Sequence, residues 1–396
     1  MTKKIALVTN SFNGGLWTST LFLSDVINQQ YDYEAEIVFL ANSFQDPLSL
    51  RLLKPATWLE GAKIGRSVLR DRHCIHAGAT FAEFEFQRYL PRRNLTSLLN
   101  SYDLVQVIGG GPAIAYVTKN VSKPVILQVQ TQVKVERRKL LHSSKGLNKF
   151  RHWIMSNLIS RIEERAIHIP EVVFVNNNWM FKWVCSKIGE DRTVFAPPSI
   201  DQSYFDREPD VNLKNKGFIL SVGRLSDPRK NVRLLFEGYS LLCNMMSDAP
   251  ELVLTGRTPP NVKDLQYARE LGILESIVIH EEVSLKELQD IYRSAILFVL
   301  SSDEEGFGLV ILEAMASALP VVSTDSGGPD ILVDDEVTGY ITPLGDASAL
   351  ADSMRKILLD KDLGRKMGLA GYQRAKKKFS PVVIGTKYLR IYEKYL

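Results

Sequence analysis

Two carboxylates eight residues apart, Glu305 and Glu313, stand on either side of a glycine-rich loop, Gly306-Phe307-Gly308. The stretch Glu304–Glu313 reads Glu-Glu-Gly-Phe-Gly-Leu-Val-Ile-Leu-Glu, and Thr324–Asp330 reads Thr-Asp-Ser-Gly-Gly-Pro-Asp. A carboxylate accepts hydrogen bonds from neighbouring hydroxyls, so this pair suits a diol better than an anion. The glycines let the backbone approach a ligand closely. A helix opening near Leu309 presents free amides and a positive dipole end to a phosphate. A ligand with both sugar hydroxyls and phosphates satisfies all of these groups at once.

A second set is Ser221-Val222-Gly223-Arg224-Leu225 followed by Lys230-Asn231. Arg224 can fork onto a phosphate and Lys230 can add a point charge. Together they would neutralise a diphosphate leaving group with no metal. A third set, Asn13-Gly14-Gly15, directly follows the first apolar run and could bring backbone amides to the reacting centre. It lacks the Gly-x-Gly-x-x-Gly spacing of a dinucleotide fingerprint. Gly109-Gly110-Gly111-Pro112 reads as a tight strand-to-helix turn.

Each of these loops needs a strand end to hold it. Ile5–Val8, Ile37–Leu40, Leu104–Ile108, Val125–Val129 and Val172–Val175 are short runs of branched apolar residues, the pattern of strands buried on both faces. The pattern restarts at Phe218–Val222, Leu252–Leu254, Ile277–Ile279, Leu297–Leu300 and Pro320–Val322. Two successive runs of alternating strands and helices imply an α/β protein of two doubly wound domains. The break falls near Ala196–Asp206, where Pro197-Pro198 stops regular structure and the polar stretch Asp201–Lys216 begins. The expected domains are residues 1–205 together with 380–396, and residues 206–379. The final segment, Val382–Leu396, has helical spacing after a kink at Phe379-Ser380-Pro381.

With 396 residues, 45% of them hydrophobic and 24% charged, the chain can bury two cores. Three scattered cysteines, Cys74, Cys185 and Cys243, argue for a reducing compartment and against a disulfide framework. The longest apolar run, Ala295–Leu300, is far short of the roughly 20 residues of a spanning helix. Lys3 and Lys4 precede too few apolar residues for a secretory signal. The expected location is therefore cytoplasmic, or peripheral at the inner face of a membrane, and not integral.

That contact is suggested by charge. Residues 51–165 hold 20 basic side chains against 8 acidic ones. Lys134, Arg137, Arg138, Lys139, Lys145, Lys149 and Arg151 face only Glu136 in their segment. The segment suits an anionic acceptor or a membrane surface: a helix there would place Phe150, Trp153, Ile154 and Leu158 on one face, compatible with shallow interfacial insertion or with packing on the core. The basic half lacks interleaved aromatics over a recognisable module, so no nucleic-acid partner is expected.

From about residue 170 the chain resembles retaining glycosyltransferase family 4, the glycosyl transferases group 1. The resemblance runs through Phe174-Val175-Asn176-Asn177, Ala196-Pro197-Pro198-Ser199-Ile200-Asp201, Val222-Gly223-Arg224-Leu225, Lys230-Asn231, Glu305 with Glu313, and Thr338-Gly339-Tyr340. Before it, the match is mainly Gly14-Gly15. The resemblance implies the GT-B fold: two Rossmann-like domains facing a cleft, with the last helix crossing back to the first domain. The first would bind the acceptor and the second the donor.

It further implies that Glu305 contacts the donor sugar, with Gly306, Phe307, Gly308 and Leu309 along the sugar and phosphates. Glu313 would bind the ribose. Arg224 and Lys230, beside Gly223, would bind the diphosphate, and Gly14 and Gly15 would lie near the phosphate. His280, Glu281 and Val283 would hold the base. The expected donor is a UDP-sugar ahead of a GDP-sugar, with a hexose-type sugar transferred. The acceptor would be a sugar, a lipid-linked or a small molecule, as in polysaccharide biosynthesis, and no cofactor is expected.

Many members of the family carry a histidine at the reacting sugar after the strand Val125–Val129. Here Gln130 stands in that place. Glutamine can bond a hydroxyl but cannot titrate near neutral pH, so it is no general base. His142 is too far along the chain to replace it. A non-catalytic nucleotide-sugar-binding subunit and a sugar-nucleotide epimerase on the same fold remain as alternatives. The one Asp-x-Asp pair, Asp360-Lys361-Asp362, reads as a helix cap or solvated turn rather than a metal site.

Overall fold

The computed structural model describes residues 2–30, 32–138, 141, 144–209 and 217–396. Lys139 and His142 lie outside them, as do residues 210–216 of the polar stretch. The chain forms two compact units, Met1–Ser199 with Ile384–Leu396, and Ile200–Val383. The division falls a few residues before the expected 205/206 because Ile200, Tyr204 and Phe205 pack in the second core with Leu220, Tyr292 and Phe298.

In the first unit the apolar runs become β1 (Lys3–Thr9), β2 (Tyr33–Leu40), β5 (Leu104–Gly109), β6 (Val125–Val129) and β7 (Val172–Val175). Three strands join them that the pattern did not announce: β3 (Ile64–Leu69), β4 (Arg72–Ala77) and β8 (Thr193–Phe195). The sheet order is β3-β4-β2-β1-β5-β6-β7-β8, parallel except for the β3–β4 hairpin. That hairpin turns on Arg70 and Asp71, both at positive φ, where a glycine or asparagine would ordinarily signal the turn.

The helix Gly14–Asn28 and the last helix, Pro381–Tyr395, bring their buried residues to the same core cluster of this sheet. Proline starts the last helix where its missing N–H costs nothing. Inside, Tyr388 donates to the Ala196 carbonyl (3.0 Å) and Tyr392 to Gln106 Oε1 (3.0 Å). These bonds satisfy two polar groups that would otherwise be buried unpaired.

The second unit is a six-stranded sheet: β9 (Ile219–Arg224), β10 (Leu252–Thr258), β11 (Ile277–Glu281), β12 (Leu297–Leu300), β13 (Val321–Thr324) and β14 (Gly339–Thr342). Its order is β11-β10-β9-β12-β13-β14, with every neighbouring pair parallel. The chain moves outward from β9 to β11, then returns to the other side of β9 for the remaining strands. This is the doubly wound order whose reversal, here between β9 and β12, opens a crevice at the carboxyl ends of the strands. Asp360 caps the helix Lys361–Phe379 by accepting from the Leu363 amide (2.9 Å), the role expected for it.

Candidate functional site

The crevice between β9 and β12 is built by two loops stitched together. After β9, Asp227 starts a short turn at Pro228–Lys230, accepting from the Arg229 amide. Asn231, at φ 43°, then caps the helix Val232–Met245 through the Leu234 amide. After β12, Ser301 Oγ lies 3.0 Å from the Lys230 carbonyl and 3.1 Å from that of Asn231. The Asp303 carboxylate accepts from the Asn231 amide group (2.9 Å). These bonds fix where Lys230 stands relative to the loop Ser302–Gly308.

The Lys230 ammonium forms an ion pair with Glu305 Oε1, and their side chains are only 14% and 11% exposed. Ser302 Oγ donates to the same oxygen (2.7 Å), and the Glu305 amide donates to the Ser326 carbonyl (2.9 Å). Among the described residues the contacts of this carboxylate fall on Oε1, and Oε2 could accept a further hydrogen bond. Lys230 has three N–H donors, so it can keep Glu305 and still reach a phosphate. Gly223 lies along the Lys230 stem, where an added Cβ would be 3.6 Å from Cε.

Gly308, at φ 92°, opens the helix Leu309–Ala316. That backbone region disfavours residues with a Cβ, so glycine is required for the turn. The first amides of this helix have no intrahelical acceptor. Phe307 turns its ring inward against Phe379 (centroids 5.8 Å apart) and is buried, so it offers the crevice backbone only. Gly328 packs against that backbone so closely that a Cβ would come within 2.8 Å of it.

Arg224 differs from Lys230. Its side chain is 59% exposed and pairs with Asp227 at 3.1 Å. Burial tends to raise the Asp227 carboxyl, but hydrogen bonds from Arg229 and the charges of Arg229 and Arg224 hold it below the usual range.

Glu313 is on the same helix as Leu309, and Tyr292 donates to its Oε2 (2.8 Å). Burial pushes its carboxyl up to about 7, with the Tyr292 bond pulling the other way. Among the described residues it shares no hydrogen bond or ion pair with Glu305 or Lys230. Tyr292 carries no sequence signal; only the packing of the helix Leu285–Ser294 places it there. His280 and Glu281 are exposed at the end of the edge strand β11, and Val283 is part-buried beyond them.

The first unit has its own reversal point, between β1 and β5. Gly14, at φ 61°, opens the helix after β1, with Gly15 next to it. The Gln130 and Thr131 amides both donate to the Gly110 carbonyl (3.0 and 2.8 Å). Asn177 donates to the Gln130 carbonyl (2.9 Å). The glycine triplet and Gln130 are thus brought together, and Gly110 sits within reach of Leu16.

Sequence reasoning missed Glu163 here. Its carboxylate is buried and accepts from the Val133 amide (3.1 Å). A Cβ on Gly111 would come 2.3 Å from its Oε1, so glycine there leaves room for the carboxylate. Burial pushes Glu163 up to about 8. In the sequence it stands beside Glu164 in a charged helix and looks like any solvated acid.

Residues 204–374 match the family model described as glycosyl transferases group 1. The match falls within the second unit, Ile200–Val383. The matched stretch includes Gly223, Lys230, Glu305 and Gly308. The chain is 29% identical over 215 residues to a probable sucrose-phosphate synthase of Thermosipho melanesiensis, covering 52% of this chain and 48% of that one. It is 26% identical over 258 residues to human alpha-1,3/1,6-mannosyltransferase ALG2, covering 60% and 62%. A D-inositol 3-phosphate glycosyltransferase of Xylanimonas cellulosilytica is 31% identical over 199 residues, 47% of each chain. The chain thus spans less than two thirds of the length of these relatives.

Solved structures match over nearly the whole chain. Sucrose-phosphate synthase from Thermosynechococcus elongatus has a TM-score of 0.69 at 18% identity, covering 99% of this chain and 98% of its own. Anabaena Alr3699/HepE, solved in complex with UDP, has a TM-score of 0.69 at 17% identity, covering 99% and 100%. At such identities the likeness shows the fold, which is GT-B.

Proposed function

We propose that the protein is a retaining, metal-independent glycosyltransferase that moves a hexose-type sugar from a UDP-sugar to a sugar, lipid-linked or small-molecule acceptor. The observation that carries this reading is the Lys230–Glu305 pair at the β9/β12 reversal point, beside the Gly308 helix start. It combines a cation and helix amides for a diphosphate with a carboxylate oxygen for a sugar hydroxyl. HepE has been solved with UDP and with UDP-glucose, which favours uridine as the base.

In this reading Lys230, Arg224 and the Leu309 end of the helix stabilise the charge that develops on the departing diphosphate. Glu305 orients the sugar, and Gly15 and Gln130 attend the reacting centre. The bond from the anomeric carbon to the phosphate oxygen breaks as the acceptor oxygen bonds to that carbon on the same face. The acceptor proton passes to the departing phosphate oxygen. Gln130 can position a hydroxyl but takes no proton. Glu313 serves the ribose, and His280, Glu281 and Val283 the base.

The test is release of UDP from a panel of UDP-sugars with mixed acceptors, repeated after exhaustive chelation. Turnover that survives EDTA supports the reading. A rate that falls to background and is restored by Mg²⁺ or Mn²⁺ overturns metal independence. Gln130 favours one second reading, a subunit that binds the nucleotide sugar without turning it over. Saturable UDP-sugar binding with no UDP release under any acceptor would establish it.

No helix among the described residues is long and apolar enough to cross a membrane. For a peripheral contact at the inner face, the helix Gly146–Ala166 is the candidate. Phe150, Trp153 and Ile154 are 59%, 56% and 36% exposed on it, and the first two stack at 6.2 Å. Met155, Ile159 and Ile162 take the inward face. Co-sedimentation with liposomes should require anionic lipid and should fall on Trp153→Ser; sedimentation indifferent to both would remove the contact.

A further inference from the structure

The loops after β2 and β4 hold a polar cluster that the transfer site does not use. Asp46 Oδ2 lies 2.6 Å from His76 Nε2, and Asp46 Oδ1 accepts from Ser49 Oγ (2.8 Å) and the Leu48 amide (3.1 Å). Ser49 Oγ in turn accepts from the Ala79 amide (2.7 Å). Arg88 ties the same two loops together, donating from Nη1 to the Asn42 carbonyl (2.6 Å) and from Nε to the Ala82 carbonyl (3.0 Å).

Arg92, which precedes the helix Arg93–Leu99, has no such engagement. It is 8% exposed, and its one bond is a long contact from Nη1 to the Arg88 carbonyl (3.5 Å). Its Nε and Nη2 are buried and have no hydrogen-bond partner among the described residues. Burial lowers its pKa to about 10, and Asp46 is the one charge that acts against this. The other carboxylates that act on Arg88, Glu83 and Glu85, face Arg51 at 3.8 Å and pair with Arg137 respectively.

An unpaired buried guanidinium is costly, and structures keep one where something else compensates. Nε and Nη2 are the two parallel donors of the guanidinium edge, the fork that grips a carboxylate or phosphate in bidentate fashion. We propose that Arg92 anchors an oxyanion site in the first unit, and that the oxyanion it takes is a phosphate or carboxylate carried by the acceptor. Neither nitrogen reaches solvent in the free chain, so the anion enters as the loops tied by Arg88 yield. That the anion belongs to the acceptor rests on the transferase reading; the site itself does not.

The test therefore needs no donor and no turnover. The parent is the double variant Arg224→Ala/Lys230→Ala, which removes the phosphate-binding cations of the second unit. Methyl phosphate and acetate are titrated separately while the melting temperature is followed, with calorimetry for affinity. One of them should raise the melting temperature saturably, and which one does so tells phosphate from carboxylate. Arg92→Met should weaken that binding at least tenfold while the ligand-free protein melts at or above the parent, since an apolar isostere removes the unpaired charge. Arg92→Lys, which keeps the charge but loses the fork, should also lose the response; it carries the test should Arg92→Met not fold. No saturable shift in the parent with either anion, or a shift that survives these substitutions, overturns the site.

Discussion

At its reversal point the second unit gathers a cation and a carboxylate, Lys230 and Glu305, that neutralise each other. At the corresponding point the first unit gathers glycines, Gln130 and a buried Glu163 that no cation pairs with among the described residues. Both sheets reverse their strand order in the same way. The difference lies in where the charge resides. The second unit is complete before its ligand arrives, because its charges are matched. The first unit keeps polar groups short of partners, at Glu163 and at Arg92. In the proposed function this is the acceptor side, and the ligand would supply the missing partners.

The strongest way to break this comparison is Glu305→Ala. It removes the sugar contact and leaves Lys230 without its partner, so transfer should fall by about 10²–10³, the scale of losing one preorganised polar contact. Binding of the nucleoside diphosphate should change far less. A wild-type transfer rate would dismiss the second unit's site.

The matching test in the first unit is pH. Glu163 is raised from an ordinary 4.5 to about 8 by burial, so the folded state holds a proton that the unfolded chain releases. Its stabilising effect is fully present below pH 4.5 and is lost as pH rises toward 8. Over that window the loss should be on the order of a few kcal/mol. In denaturant melts, Glu163→Gln should flatten the decline and exceed the parent in stability at alkaline pH. Parallel profiles for the two proteins would show that Glu163 is not a buried acid.

Lys230→Ala should weaken nucleoside diphosphate binding by roughly 1.5–3 kcal/mol, the value of a charge-assisted contact, while barely changing nucleoside binding. Arg224→Ala, at a half-exposed position, should cost less than about 1 kcal/mol in the same titration. Equal losses for the two variants would mean that Arg224 closes on the ligand more completely than its pairing with Asp227 suggests.

Much of the second unit was legible because its chemistry is written locally. Glu305, Gly306 and Gly308 follow an apolar run within eight residues of its end, and Gly223 and Lys230 follow another. A strand ending, a glycine and a charge at short spacing are all that the crevice requires, and backbone geometry does the rest. The runs themselves were readable because strands buried on both faces must be apolar throughout. The antiparallel β3–β4 hairpin was not, since its strands mix polar and apolar residues with no regular period and its turn opens on Arg70, which carries no turn signal.

Sequence by itself determined the two α/β units, the ends of their central strands and the residue types at the crevice between β9 and β12. Only the tertiary structure decided which charges meet. Lys230 and Glu305 are 75 residues apart, and Tyr292 reaches Glu313 from a different helix. Glu163 and Arg92 look like solvated residues until the fold buries them, one against Gly111 and the other beside Arg88. The reason is physical. Periodicity and turn chemistry act over a few residues, whereas the loss of water around a charge depends on everything the chain later packs against it.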